Sequence, residues 1–205
     1  MAAPKSKRHL LPRAARAASI LRAASRRFAR GGYAATSMDE IAAEASVSKL
    51  MLYRHFNSKH ELYEAALDEV RSRLHAVEHR PATLAGLTPE EGIREAAVTL
   101  LATIRAAREV PDAYRLLYVH AAREPEFAAY VNNIRARALA KSESLLRALI
   151  EDPTLRRWAA HLIATLTDEA ILAWLDTGEP ERDAYMAERL ARMQGAIIGA
   201  VIAPG

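Results

Sequence analysis

An all-α fold is what the sequence predicts, and three observations carry it. Alanine is abundant and β-branched runs are nearly absent, so summed helix propensity is high along most of the 205 residues. Apolar residues recur at helical spacing, as in Ile20, Ala24 and Phe28 with Leu21, in Leu62, Ala66 and Val70, and in Ile163, Leu166, Ala170 and Trp174. No window alternates as a strand. About nine helices result, near 12–30, 38–45, 48–55, 59–79, 89–108, 112–123, 125–150, 153–176 and 181–201.

Each start and stop has a chemical reason. Ser37-x-x-Glu40, Ser58-x-x-Glu61 and Thr88-Pro-Glu-Glu91 fit a capping box, in which the hydroxyl accepts an orphan amide and the Glu returns a bond. Asp152-Pro153 pairs an N-cap with a proline at the first helical position, and Glu124-Pro125 opens another helix. Gly31-Gly32 and Gly178 mark ends. The first three helices are short and close together, whereas the later ones are longer.

Charge divides the chain at the same place. The net charge of +4 hides 12 Lys/Arg against three acids in residues 1–60, giving +9, and an opposite balance of −5 in residues 61–205. A basic module of that kind is the electrostatic footprint of polyanion binding, because each neutralised phosphate releases counterions; a solvated basic tail is the plainer alternative. Charge and helix length together set the expected boundary, a basic domain over 1–60 and a larger helical domain over 61–205.

Composition removes several classes of function. With no cysteine there is no disulfide framework, thiolate nucleophile or cysteine-ligated metal. The longest apolar stretch, Ala196 to Ala203, is far short of the roughly 20 residues that span a bilayer. The N-terminus lacks the apolar core of a secretory signal. Its Arg-rich, acid-free character suits a transit peptide, but the apolar periodicity runs straight on into the next motif, so a cytoplasmic protein is expected. No phosphate-binding loop, dinucleotide fingerprint or nucleophile elbow occurs, and neither an enzyme nor a cofactor is expected.

Residues Thr36 to Phe56, TSMDEIAAEASVSKLMLYRHF, hold the functional element. Helix 38–45 presents Ile41, Ala42 and Ala45 on one side, Ser46-Val47 makes a turn, and helix 48–55 follows. This is a helix-turn-helix, although a generic helical hairpin shares the pattern. Small alanines allow close approach, Val47 and Leu52 plug the core against Phe28, and the second helix is free to enter a major groove.

At these residues the sequence resembles the tetracycline-repressor (TetR) family of bacterial transcriptional regulators. The match runs through Ile20-Leu21-x-Ala23-Ala24, Phe28, Gly31-Gly32-Tyr33, Thr36-Ser37, Ile41-Ala42, Ala45-x-Val47-Ser48, Leu52-Tyr53-x-His55-Phe56 and Lys59-x-Glu61-Leu62. Resemblance implies a three-helix DNA-binding domain, a larger helical domain for effector binding and dimerisation, and a homodimer acting most often as a repressor on a pseudo-palindromic operator. It makes Thr36 a phosphate contact and Ser37 a cap, places Ser48 and Lys49 at the start of the recognition helix, and assigns Tyr53, His55 and Lys59 to phosphates. A nonspecific or architectural nucleic-acid binder is the alternative.

Two positions depart from that family's pattern. Ser46 stands where glycine is usual, so a positive φ there carries strain of order 1 kcal/mol. Leu50-Met51 replaces a pair that is commonly Gly or Pro followed by a small or polar residue, and is expected either to touch thymine methyl groups or to pack back on the core.

In the second part, Tyr114, Tyr118, His120, Phe127 and Tyr130 fall close together in sequence, with Trp158 and Trp174 further on. Tyr114, Tyr118, His120, Phe127 and Trp174 are the expected lining for a small, largely apolar effector, with ordinary core packing as the other reading. Gly195-x-x-x-Gly199 implies close approach of another helix, and helices 153–176 and 181–201 are the expected dimer face, or else pack within the chain. His75 and His79 share a helix face, but no third ligand is evident and no metal site is expected.

Overall fold

A computed structural model describes residues 12–78 and 83–203, and among them every regular element is helical. The helices are α1 (Arg13–Ala35), α2 (Met38–Glu44), α3 (Lys49–Tyr53), α4 (Lys59–Glu78), α5 (Pro89–Glu109), α6 (Pro111–Arg115), α7 (Pro125–Leu146), α8 (Pro153–Thr177) and α9 (Asp183–Ile202). They form two compact units, residues 1–66 and 67–205, so the division falls inside α4 rather than at its start. None of the described helices is long and apolar enough to cross a membrane.

In the first unit, α1 packs on α2 and α2 on α3. Ile20, Ala23, Ala24 and Phe28 from α1, Ile41 and Ala42 from α2, and Leu52 from α3 are buried together with Leu62 and Tyr63 from α4. Phe28 meets Tyr63 edge to face at 4.9 Å, and Tyr63 meets Tyr33 at 5.1 Å, adding directional aromatic contacts to the apolar burial. Leu52 is the core plug expected of it, whereas Val47 is only half-buried. Helix α1 breaks at Gly32 (φ 74°), as the glycine pair predicts, in a conformation that side chains rarely adopt, and a short helical turn follows to Ala35.

The caps form largely as the sequence requires. Both reciprocal bonds are present at Ser37–Glu40 and Thr88–Glu91. At Ser58 the hydroxyl accepts from the Glu61 amide at 3.0 Å, but the Glu61 carboxylate accepts from the backbone and side chain of Asn57 instead. Asn57 offers two donors where the Ser58 backbone offers one, which accounts for the shift by one residue.

The second unit sets α5 along α9 and α7 along α8, with α8 also on α9. Gly195 permits the first of these: a Cβ there would come within 3.1 Å of Ile93 on α5, while one on Gly199 would meet nothing within 4 Å. The expected close approach at Gly195 is therefore made inside the chain. Predicted helix 112–123 is instead α6, a π-helical turn at Leu116–His120 and a 3-10 turn at Ala121–Arg123. In the widened turn Ala121 donates to the Leu116 carbonyl, and the Tyr118 carbonyl accepts from Arg135 at 2.9 Å.

Candidate functional site

The helix-turn-helix is built by a C-terminal lock on α2. Val47 N–H donates to the Ala42 carbonyl and Ser46 N–H to that of Ala43, both at 3.0 Å, the two bonds of a Schellman motif. That motif requires a left-handed residue, and Ser46 supplies it at φ 54°, alone among the described non-glycine residues. Ser48 then caps α3, its hydroxyl accepting from the Met51 amide at 3.2 Å.

Ion pairs hold the three helices in register. Arg26 pairs with Glu44 at 2.9 Å and Arg27 with Glu40 at 2.6 Å, joining α1 to α2, while Lys49 pairs with Asp39 at 2.8 Å, joining α3 to α2. The Ser37 backbone and hydroxyl, then Arg27, hold Glu40 below the ordinary carboxylate range; hydrogen bonding to Arg26 does the same for Glu44. Asp39 raises Lys49 through a hydrogen bond and its charge. All three acids of residues 1–60 are thus neutralised by neighbours, and exposed Arg13, Arg22 and Arg54 carry no ion pair among the described residues. Excess positive charge is left facing solvent, which is the condition for attracting a polyanion.

The residues singled out by the sequence separate into exposed and committed groups. Tyr53 and Leu50 on α3 are exposed, Leu50 to 66%, and His55 is half-buried just beyond it. Ser37 and Ser48 are caps, and Lys49 is exposed but paired. Thr36, expected at a phosphate, is buried, and its hydroxyl donates to the Gly32 carbonyl at 2.8 Å. It serves the end of α1. Lys59, expected at another phosphate, donates its ammonium to the Tyr33 carbonyl at 2.9 Å and lies 4.4 Å from the centre of the Tyr33 ring. The last carbonyls of α1 are acceptors within its reach, and the ammonium keeps its charge.

The sequence reading passed over two cations beside α3. Arg54 occupies the unassigned place in Leu52-Tyr53-x-His55-Phe56 and is the C-cap of α3. Arg16 on α1 donates to the Met51 sulfur at 3.8 Å, which only a tertiary structure reveals.

In the second unit, Tyr114 and Phe127 are fully buried and belong to the core. The Tyr114 ring lies 4.5 Å from half-buried Tyr118, and His120 is half-buried on the same π turn. Burial first, then the Tyr118 and Asp168 charges, pushes the Tyr114 hydroxyl well up. Asp168 on α8, absent from the sequence reading, is half-buried; burial raises its carboxyl to about 7 against the opposing pull of Arg135. Tyr130 donates to Asp68 on α4, and burial with that bond pushes its hydroxyl up to about 12.

Trp174, expected in the effector lining, has a structural task. Its indole N–H donates to Asp183 at 2.8 Å, and its ring covers Gly178, where a Cβ would clash with it. Arg108 grips the same Asp183 with two nitrogens at 2.7 and 2.8 Å and also donates to the Gly178 carbonyl. Burial would raise Asp183, but Arg108 and Trp174 outweigh it and hold the carboxylate low. His79 of the expected helical pair lies outside the described residues, and among those described no group of three or more acids and histidines could hold a metal.

Comparison with known proteins points to the same element. Residues 20–66 match the family described as bacterial regulatory proteins, tetR family. Over 57 residues the chain is 56% identical to the HTH-type transcriptional activator FasR of Mycolicibacterium smegmatis, covering 28% of this chain and 26% of that one. Over 66 residues it is 42% identical to the HTH-type transcriptional repressor Rv3405c of Mycobacterium tuberculosis, covering 32% and 35%. The matched stretch thus spans about a quarter to a third of these curated relatives. A TetR-like transcriptional regulator from Rhodococcus sp. RHA1 shares the fold with a TM-score of 0.70 and 26% identity, over 89% of this chain and 96% of that one.

Proposed function

We propose that this chain, a member of the tetR family of bacterial regulatory proteins, is a cytoplasmic repressor that binds a pseudo-palindromic operator as a homodimer and leaves it when a small, largely apolar molecule binds. One observation carries the reading: a helix-turn-helix whose acids are all paired, whose second helix faces solvent, and whose sequence matches that family. The first unit, residues 1–66, is the DNA-binding domain, and the second, residues 67–205, binds effector and partner. Ser48, Lys49, Tyr53, His55 and Arg54 carry the contacts to backbone phosphates. Lys49 reaches a phosphate by exchanging Asp39 for it, since both side chains are exposed.

The dimer forms through α8 and α9. Leu155, Trp158 and Leu162 are exposed at helical spacing on α8, and Met193 and Ile202 are exposed on α9. These are apolar side chains on the two helices expected to pair. The effector lies beside Tyr118 and His120, where a π turn and two half-buried residues with polar tips adjoin the apolar core. A ligand releases the operator only as far as it prefers the unbound geometry.

Analytical sedimentation on duplexes tests this reading. Two protomers are expected on half-sites separated by about one turn, roughly 10 bp, or a multiple, and one protomer free and bound would contradict it. In the same experiment Trp158→Ala, at the proposed dimer face, weakens self-association without altering helix content.

A further inference from the structure

Leu50 and Met51 are neighbours in sequence, yet the fold separates their tasks. Met51 is half-buried, its sulfur accepting from Arg16 on α1, and Leu52 is fully buried in the core of the first unit. Leu50 points the other way. At 66% exposure it is the most exposed large apolar side chain among the described residues, and it sits in the most basic part of the chain. The polar groups beside it are occupied, the Ser48 hydroxyl by the Met51 amide and the Lys49 ammonium by Asp39. With Tyr53 and Arg54 at the following third and fourth positions, the outward face of α3 is apolar at its start and polar at its end.

A surface of that composition in a strongly positive unit fits a polyanion that carries an apolar group, and the major groove of DNA offers one, the 5-methyl of thymine. Leucine has no hydrogen-bonding atom with which to distinguish guanine or adenine. We propose that Leu50 is a base-reading residue that selects thymine through its methyl group, and that Met51 takes no part in the selection. The inference rests on the operator-binding reading above and adds to it which residue reads which base.

The test begins with the full-length protein and a pool of random duplexes, from which bound sequences are enriched. Each thymine of the enriched half-site is then replaced by uracil, which removes only the methyl group. Loss of one buried methyl is expected to weaken binding about fourfold at one thymine position, and about fifteenfold when both half-sites are changed. Leu50→Ala should abolish that thymine-to-uracil difference while leaving the melting temperature unchanged, because the side chain it removes is exposed. Met51→Ala should keep the difference. If uracil is neutral at every position of an enriched operator, or if the difference survives Leu50→Ala and disappears in Met51→Ala, the assignment is overturned while operator binding stands. Failure to enrich any sequence would overturn both.

Discussion

The two units differ in how deeply they place a charge pair. In the first, the ion pairs lie at the surface, Lys49 and Asp39 being 59% and 65% exposed, and exposed Arg13, Arg22 and Arg54 carry no ion pair among the described residues. The second also has surface pairs, such as Arg192 with Glu188, but it draws one pair inward: the Arg108 and Asp183 side chains are 19% and 6% exposed, and Asp168 is half-buried. Exposed pairs contribute little to stability, so the first unit rests on its aromatic and aliphatic core and keeps its charges free to exchange partners. A buried pair fixes geometry, because neither partner can be left alone there without a large penalty. The difference teaches that the first unit is arranged to accept a charged ligand, and the second to hold its helices in one arrangement that few changes leave untouched.

Breaking the buried pair should have the largest effect. Arg108→Ala strips Asp183 of its cation, leaves it the Trp174 indole bond, and should cost about 3–5 kcal/mol, read as a fall in melting temperature of roughly 10 °C. The pair also carries a pH signature. Asp183 is held low in the folded protein, so its contribution is present above the unfolded value of about 4 and is lost as pH falls through the lower folded value. Wild-type protein should lose stability in acid more steeply than Arg108→Ala does.

Asp168 behaves in the opposite sense. Its carboxyl is raised to about 7, so the native state binds a proton that the unfolded state lacks between about pH 4 and 7. Stability from this group is therefore complete below about pH 4 and falls as pH rises through 7. Asp168→Asn should stabilise by about 1–2 kcal/mol at pH 8, and should bring no such benefit at pH 4; thermal melts at the two values decide it.

The first unit was the more legible in the sequence, for physical reasons. Its determinants are local: a capping box spans four residues, and the left-handed turn that Ser46 must make follows from its place after α2. Helix ends in the second unit were equally readable from Thr88, Asp152 and their prolines. What escaped depends on contacts between distant residues. Arg108 and Asp183 are 75 positions apart, and nothing near Trp174 in sequence announces that its indole serves that pair. Thr36 and Lys59 show the same limit at short range, for a motif gives the residue but not the nearest acceptor, and here α1 supplies it. The π turn at Leu116–His120 likewise has no cap or breaker to mark it.

Smaller effects sharpen the picture of the first unit. Ser37→Ala removes a hydroxyl that caps α2 and should cost about 1 kcal/mol. Ser46→Gly relieves the left-handed strain and should stabilise by up to about 1 kcal/mol, seen as a higher denaturation midpoint with an unchanged slope. Asp39→Asn should be smallest of all in stability, with no measurable change in melting, yet it should tighten DNA binding by freeing Lys49.

Operator specificity is the central claim, and the ratio of affinities for an enriched operator and its scrambled duplex, measured with the full chain at one fixed salt concentration, tests it most directly. A ratio of about a thousand or more is expected if, as proposed, α3 reads bases while its flanking residues hold phosphates. Equal affinity for the two duplexes would contradict the account and leave only a basic module that binds nucleic acid without reading it.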